Sequence, residues 1–318
     1  MTSKKLLLSQ FDSSGIRRSY KKAGAVVSCF IMLLLITGYK EKEPHALLEK
    51  QRWIHGDANC ANQSDPLIQI VQYNSNTWIF RQNKCVHYEA PFIYLFLGKN
   101  KALLVDTGAT ENEAAFPLYD AVNNLVQGSK KGKKTLPLIV AHTHSHGDHH
   151  AGDKQFKGKP NINVVGLEVA DITKFFGIEN WPQGSAKIDL GDRVVEIIPI
   201  PGHQKSSIAF YDASSELLLT GDTFYPGRLY VEDWKSFKES ITRLYAFATR
   251  HEVAYIVGNH IEMSLATGVD YPTGSTYQPE EQRLPLTVEE LAELNEALEK
   301  TGDNAERIVF GKFIVTPR

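Results

Sequence analysis

Residues 143–150 read Thr-His-Ser-His-Gly-Asp-His-His, and no other segment restricts this chain so tightly. His144, His146, Asp148 and His149 place four metal-capable side chains within six residues. Histidine and aspartate are poor core material. Crowding them together is stable where a cation offsets their mutual cost. The preceding run, Leu136-Pro137-Leu138-Ile139-Val140-Ala141, reads as a buried strand. Gly147 lies inside the motif and Ala151-Gly152 follows it. The motif therefore sits on a tight loop at a strand end, where open α/β sheets place their sites.

Imidazole and carboxylate without cysteine suit zinc, and after it iron or manganese. A catalytic zinc takes roughly three protein ligands and a water. The motif offers more than that, so completing partners are expected downstream. His203 follows Val194–Gly202, Asp222 follows Leu217–Gly221, and His260 follows Val253–Asn259. Each comes after an apolar run and beside glycine, which lets the backbone turn sharply near an ion. His142 and His150 flank the motif out of register. His142 reads as strand packing or as a support behind the ligands, and His150 as pointing away. His45, His55, His87 and His251 have no supporting context.

The ordered set Asp106 (in Leu104-Val105-Asp106-Thr107-Gly108), His144-x-His146-x-Asp148-His149, His203, Asp222 and His260 resembles the motifs of the metallo-β-lactamase-fold hydrolases. The likeness covers roughly residues 65–265. It implies that His144, His146 and His203 hold one metal, that Asp148, His149 and His260 hold a second, and that Asp222 bridges them. It makes Asp106 a residue that orients the loop without ligating. An aspartate at 222 together with His149 points to the hydroxyacylglutathione hydrolase and lactonase branches. In lactonases of this fold a tyrosine three residues after the bridging aspartate can donate to the developing oxyanion. Tyr225 occupies that place, and an aromatic packing residue is the alternative reading.

The resemblance implies a dinuclear zinc hydrolase that turns a metal-bridging hydroxide on an acyl substrate, a thioester, lactone or β-lactam. Asp148 or Asp222 would relay the proton. Rival readings are an iron-dependent oxidoreductase of the same fold, similar to persulfide dioxygenases, a phosphodiesterase, and a binding protein that keeps metal without turnover. Flavin-linked di-iron members usually carry glutamate where this chain has His146. Residues 261–286 are loop-like and leave directly from His260, so they are expected at the site mouth. They do not resemble a glutathione-binding region.

Residues 23–38 form a long uncharged apolar stretch, preceded by Lys4, Lys5, Arg17, Arg18, Lys21 and Lys22 against a single Asp12. A basic region followed by an apolar one reads as a signal peptide. At 16 residues it is short for a span, which needs about 20, so a short membrane anchor is the alternative. Either reading places the rest outside the cytoplasm, periplasmic or secreted. Cys60 and Cys85 then either close a disulfide or pack as thiols. Without residues 1–39 the chain holds 29 basic against 36 acidic residues, a net charge of −7. That excess, with no basic tract, argues for a small-molecule substrate and against nucleic acid.

Residues 40–64 read as a polar linker and 65–318 as the catalytic domain. Strands are predicted at 67–73, 77–81, 91–97, 102–106, 136–142, 162–166, 193–200, 207–211, 216–220, 253–258 and 307–315. Helices are predicted at 111–126, 167–177, 232–250 and 287–299, the third with Phe237, Ile241, Tyr245 and Ala248 on one face. Strands dominate and helices recur between them. This α/β (α+β) pattern suits two packed sheets covered by helices, the four-layer αββα sandwich of the family it resembles.

Overall fold

The computed structural model describes residues 48–128 and 136–318. The apolar stretch 23–38 lies outside them. Among the described residues no helix is long and apolar enough to cross a membrane.

The first half of the domain builds β1 (Ile68–Asn74), β2 (Thr77–Gln82), β3 (Phe92–Leu97), β4 (Ala102–Val105), α1 (Leu118–Gly128), β5 (Leu138–Ala141), α2 (Gly147–His150), β6 (Ile162–Val164) and α3 (Val169–Phe176). Its six strands pair in sequence order, antiparallel up to β4 and parallel from β4 to β6. The second half adds β7 (Ala186–Asp189), β8 (Val194–Pro199), β9 (Ile208–Asp212), β10 (Leu217–Gly221), β11 (Arg228–Val231), α4 (Trp234–Ala248), β12 (Tyr255–Gly258), β13 (Pro285–Leu286), α5 (Val288–Thr301), β14 (Ile308–Val309) and β15 (Ile314–Pro317). Six of these strands form a second sheet in the order β13-β12-β10-β9-β8-β7, with β10 and β12 parallel. β11, β15 and β14 make a small third sheet.

Side chains alternate across a strand, and β3 shows how this sets the layers. Phe92, Tyr94 and Phe96 meet Val195, Ile197, Phe210, Leu217 and Val257 of the second sheet. Ile93 and Leu95 face the other way, onto Val122 and Val126 of α1. The outer face of the second sheet, with Ile198, Ala209, Leu218 and Ile256, is covered by α4 and α5. The result is the four-layer αββα sandwich. Each large apolar side chain fully buried in these clusters contributes about 1.5–3 kcal/mol. A buried ion pair in the second sheet also ties the layers: Arg193 of the β7–β8 turn donates to Asp212 Oδ1 at 2.9 Å and across to Thr77 Oγ1 of β2 at 2.6 Å.

Several expectations needed adjustment. The first helix starts at Leu118, because Pro117 suits an entry position and Asn112 caps a separate turn, accepting from Ala114 N at 2.9 Å. On α4 the buried face is Phe237, Ile241, Leu244 and Ala248, and Tyr245 is half-buried. The strand expected at 307–315 is the β14–β15 hairpin. Residues 48–64 are not a free linker. Trp53 and Ile54 are buried, Trp53 sits edge-on to Phe92 at 4.8 Å, and Gly56 bridges to Tyr277. Cys60 and Cys85 form a disulfide, with Cα atoms 5.2 Å apart, which ties this segment to the β2–β3 loop.

Candidate metal centre

Every residue singled out as a metal ligand lies at or just beyond the end of a strand, on one edge of the sandwich. β5 leads into His144, His146, Asp148 and His149, with α2 holding the last two. The turn after β8 carries His203, the end of β10 carries Asp222 and the end of β12 carries His260. Gly221 has φ of +56°, and a Cβ there would fall 2.7 Å from the Thr143 side chain. Glycine is therefore required for β10 to bring Asp222 against the motif loop.

The structure gathers two groups of donor atoms. In the first, His144 Nε2, His146 Nδ1 and His203 Nε2 lie 2.9, 3.1 and 3.2 Å from one another. His203 Nδ1 faces the Tyr230 carbonyl at 2.8 Å, so it bears the proton and leaves Nε2 a lone pair. Burial, with the neighbouring His149 and His203, pushes His144 well below its ordinary pKa, and burial lowers His203 as well. The Nε2 atoms of His144 and His203 thus converge with His146 Nδ1 on one point, an arrangement that a cation satisfies. The donor set fits a metal ion.

In the second group, Asp148 Oδ2 lies 3.1 Å from both His149 Nε2 and His260 Nε2. Asp222 stands between the groups. Its Oδ2 is 3.5 Å from His149 Nε2, 3.9 Å from His203 Nε2 and 4.0 Å from His144 Nε2. Its Oδ1 is buried without a hydrogen-bond partner, 3.4 Å from His260 Nε2. Burial works against charge here, but His260 and His149 hold the Asp222 carboxyl well below the usual range. Asp148 is likewise held low against burial by His149 and His260. The converse holds for the histidines. Burial opposes their charge, yet Asp148 and Asp222 raise His149, and Asp222 and Asp148 push His260 up to about 9. Both groups satisfy the spacing of a ligand set, all donor atoms within 4.8 Å of one another.

Asp106 is fully buried and ligates neither group. Its Oδ1 accepts from Thr143 N at 2.8 Å. Its Oδ2 meets Thr143 Oγ1 at 2.9 Å, His149 Nδ1 at 3.1 Å and Asn259 Nδ2 at 2.7 Å. One carboxylate therefore locks the motif loop, a histidine and the strand end before His260. Its φ of +69° is left-handed, a strained conformation that aspartate tolerates better than most residues. His142 packs beneath the loop, its Nε2 2.8 Å from Asp153 Oδ1, and His150 is half-buried with its ring edge-on to His142.

Tyr225 does not take the oxyanion-donor place. Its hydroxyl is 2.8 Å from the Arg228 carbonyl and 2.9 Å from Glu262 Oε2, so its proton is committed there. The packing alternative matches its burial and its ring contact with His260, centroids 5.8 Å apart. Sequence reasoning also passed over three partners. The carbonyls of Tyr230 and Glu89 receive the Nδ1 atoms of His203 and His260, at 2.8 and 3.0 Å. The Glu232 carboxylate lies 3.6 Å from His146 Nε2.

The family model of the metallo-β-lactamase superfamily matches residues 89–312. The chain belongs to that superfamily, and it carries two groups of side chains that could hold metal ions. Among curated proteins it is similar to the hydroxyacylglutathione hydrolases of Brucella ovis and Brucella abortus. With each it is 31% identical over 115 residues, 35% of this chain and 44% of the relative. The match thus spans less than half the length of those relatives. Among solved structures it is similar to a metallo-β-lactamase from Pontibacter korlensis, at 17% identity and a TM-score of 0.47, covering 73% of this chain and 99% of that one. A metallo-β-lactamase from Hirschia baltica aligns with 13% identity and a TM-score of 0.45, over 61% and 91% of the two chains.

Proposed function

We propose that this protein is an exported dinuclear zinc hydrolase of acyl compounds, with thioesters, lactones and β-lactams as the substrate classes to examine. The observation that carries the reading is the pair of donor groups sharing one carboxylate, Asp222. His144, His146 and His203 would hold one ion, Asp148, His149 and His260 the other, and Asp222 both. When bound, the ions supply Lewis-acid polarisation of the scissile carbonyl and lower the pKa of water. The protein's own groups do the rest. Asp106, and the carbonyls of Tyr230 and Glu89, fix the ring tautomers so that lone pairs face inward. Asp148 is the partly exposed carboxylate of the pair, and with Oδ2 turned to the histidines its Oδ1 is the atom that takes and returns the proton.

The likeness to hydroxyacylglutathione hydrolases favours a thioester among the candidates. Residues 261–286 followed by α5 and a short hairpin bear no likeness to a glutathione-binding region, which favours a different thioester or a lactone. Export is supported by the basic and apolar pattern before residue 39 and by the Cys60–Cys85 disulfide, since such bonds persist in oxidising compartments. The test is hydrolysis of a panel of the three classes before and after removal of metal by a chelator. Activity on at least one class, lost on chelation and restored by zinc, is expected. Equal turnover by a His144→Ala, His146→Ala double variant would overturn the assignment.

A further inference from the structure

Arg228 opens β11 and belongs to neither donor group, yet three segments that support the site meet at its side chain. Its Nη2 donates to Glu262 Oε1 at 2.6 Å and its backbone N to Glu262 Oε2 at 2.8 Å. Glu262 stands two residues beyond His260. The same Oε2 receives the hydroxyl of Tyr225, which stands three residues beyond Asp222 and packs its ring on His260. Nε of Arg228 reaches Tyr230 Oη at 3.1 Å, and the carbonyl of Tyr230 holds His203. Nη1 closes the set on Asp270 Oδ2 and the Tyr271 carbonyl, both at 2.7 Å, fastening the loop that leaves His260.

We propose that Arg228 is a positioning residue for the metal centre, a single guanidinium that sets Asp222 and His260 of one donor group relative to His203 of the other. The proposal rests on the dinuclear reading above. A guanidinium suits this task because its donors project in a rigid planar fork, whereas an ammonium is a point charge with freely rotating donors. With arginine in place, each of the three segments has one allowed position. With lysine, the charge remains but the fork is lost, and Glu262, Tyr230 and the loop cannot all be satisfied at once. Tyr225 ties the network to the segment that carries Asp222, with its hydroxyl held by the Arg228 carbonyl and Glu262.

The test compares wild type, Arg228→Lys and Tyr225→Phe as full-length proteins, at a temperature where each is folded. Zinc affinity is read by competition with a chromogenic chelator, and the cobalt-substituted forms are read by visible absorption. Loss of partners that orient ligands weakens metal binding about 10–100-fold, so Arg228→Lys is expected to fall in that range with an altered cobalt spectrum. Tyr225→Phe, which keeps the ring and loses only the hydroxyl, is expected to change the spectrum in the same sense by less. It carries the test alone if Arg228→Lys does not accumulate as folded protein. A role confined to stability would lower the melting temperature and leave affinity and spectrum unchanged, and that result in the folded variants overturns the proposal. A wild-type chain that binds neither zinc nor cobalt overturns the dinuclear reading first, and the proposal with it.

Discussion

Asp106→Asn isolates the group on which both halves of the centre depend. The substitution preserves shape and tolerates the left-handed backbone at this position. The amide oxygen can keep the bond from Thr143 N, but an NH2 group then replaces Oδ2. Thr143 Oγ1 can rotate and accept. Asn259 cannot simply flip, because its Nδ2 also donates to the Phe92 carbonyl at 2.6 Å. His149 Nδ1 meets a donor where it had a carboxylate, so the ring loses the partner that orients Nε2 toward Asp148 and Asp222. Two bonds to a buried charged acceptor are lost without replacement. At about 1.5–3 kcal/mol each, the cost to the metal-free fold is about 3–6 kcal/mol. Displaced orientation of a ligand further predicts about 10–100-fold weaker binding of the ion held by His149. Urea unfolding of the metal-free protein and chelator competition measure the two effects. A variant within about 0.5 kcal/mol of wild type, with both ions held as before, would show that Asp106 does not hold the two halves together.

Lys84 is buried, and desolvation with the nearby Arg81 lowers its pKa from 10.5 to about 7. Between those values the unfolded chain holds a proton that the folded chain does not, so stability rises with pH across this window and the full penalty applies below it. Lys84→Met is therefore expected to stabilise at pH 6, by about 3–5 kcal/mol at most, and to flatten that rise, whereas parallel unfolding curves between pH 6 and 9.5 would contradict it. Removing the disulfide by Cys60→Ser frees a loop of 25 residues, at a cost of about 3.5 kcal/mol by loop entropy. Faster amide exchange over residues 48–62 is the expected signature, with the strands at the metal centre unchanged. Ile241→Ala on α4 opens the cluster beneath the second sheet and is expected to cost about 2–5 kcal/mol, with no change in metal stoichiometry.

The centre was legible because its donors are side chains of distinctive chemistry at strand ends. His144-x-His146-x-Asp148-His149 needs no tertiary contact to be recognised. His203, Asp222 and His260 became legible through the apolar run and glycine before each. The groups that aim these ligands left no such mark. The Tyr230 and Glu89 carbonyls belong to the backbone, where any residue type supplies the same acceptor. Arg228 and Glu262 are separated by 34 positions and look in sequence like ordinary surface charges. The same limit explains the strands that went unread. β7 (Ala-Lys-Ile-Asp) and β11 (Arg-Leu-Tyr-Val) carry charges where β4 and β5, equally short, are unbroken apolar runs, and β13 has only 2 residues. Residues 48–64 were misread because polar neighbours outnumber Trp53 and Ile54, the two side chains that dock the segment. The offset of Tyr225 from Asp222 fixes its backbone but not the direction of its hydroxyl, which turns to Glu262.

The dinuclear claim is tested most directly by counting metal on the full-length protein, purified without added metal, by elemental analysis beside native mass spectrometry. Close to two zinc ions per chain are expected, falling to one or none in the His144→Ala, His146→Ala variant. A single iron with little zinc, or wild-type metal content in that variant, would contradict it.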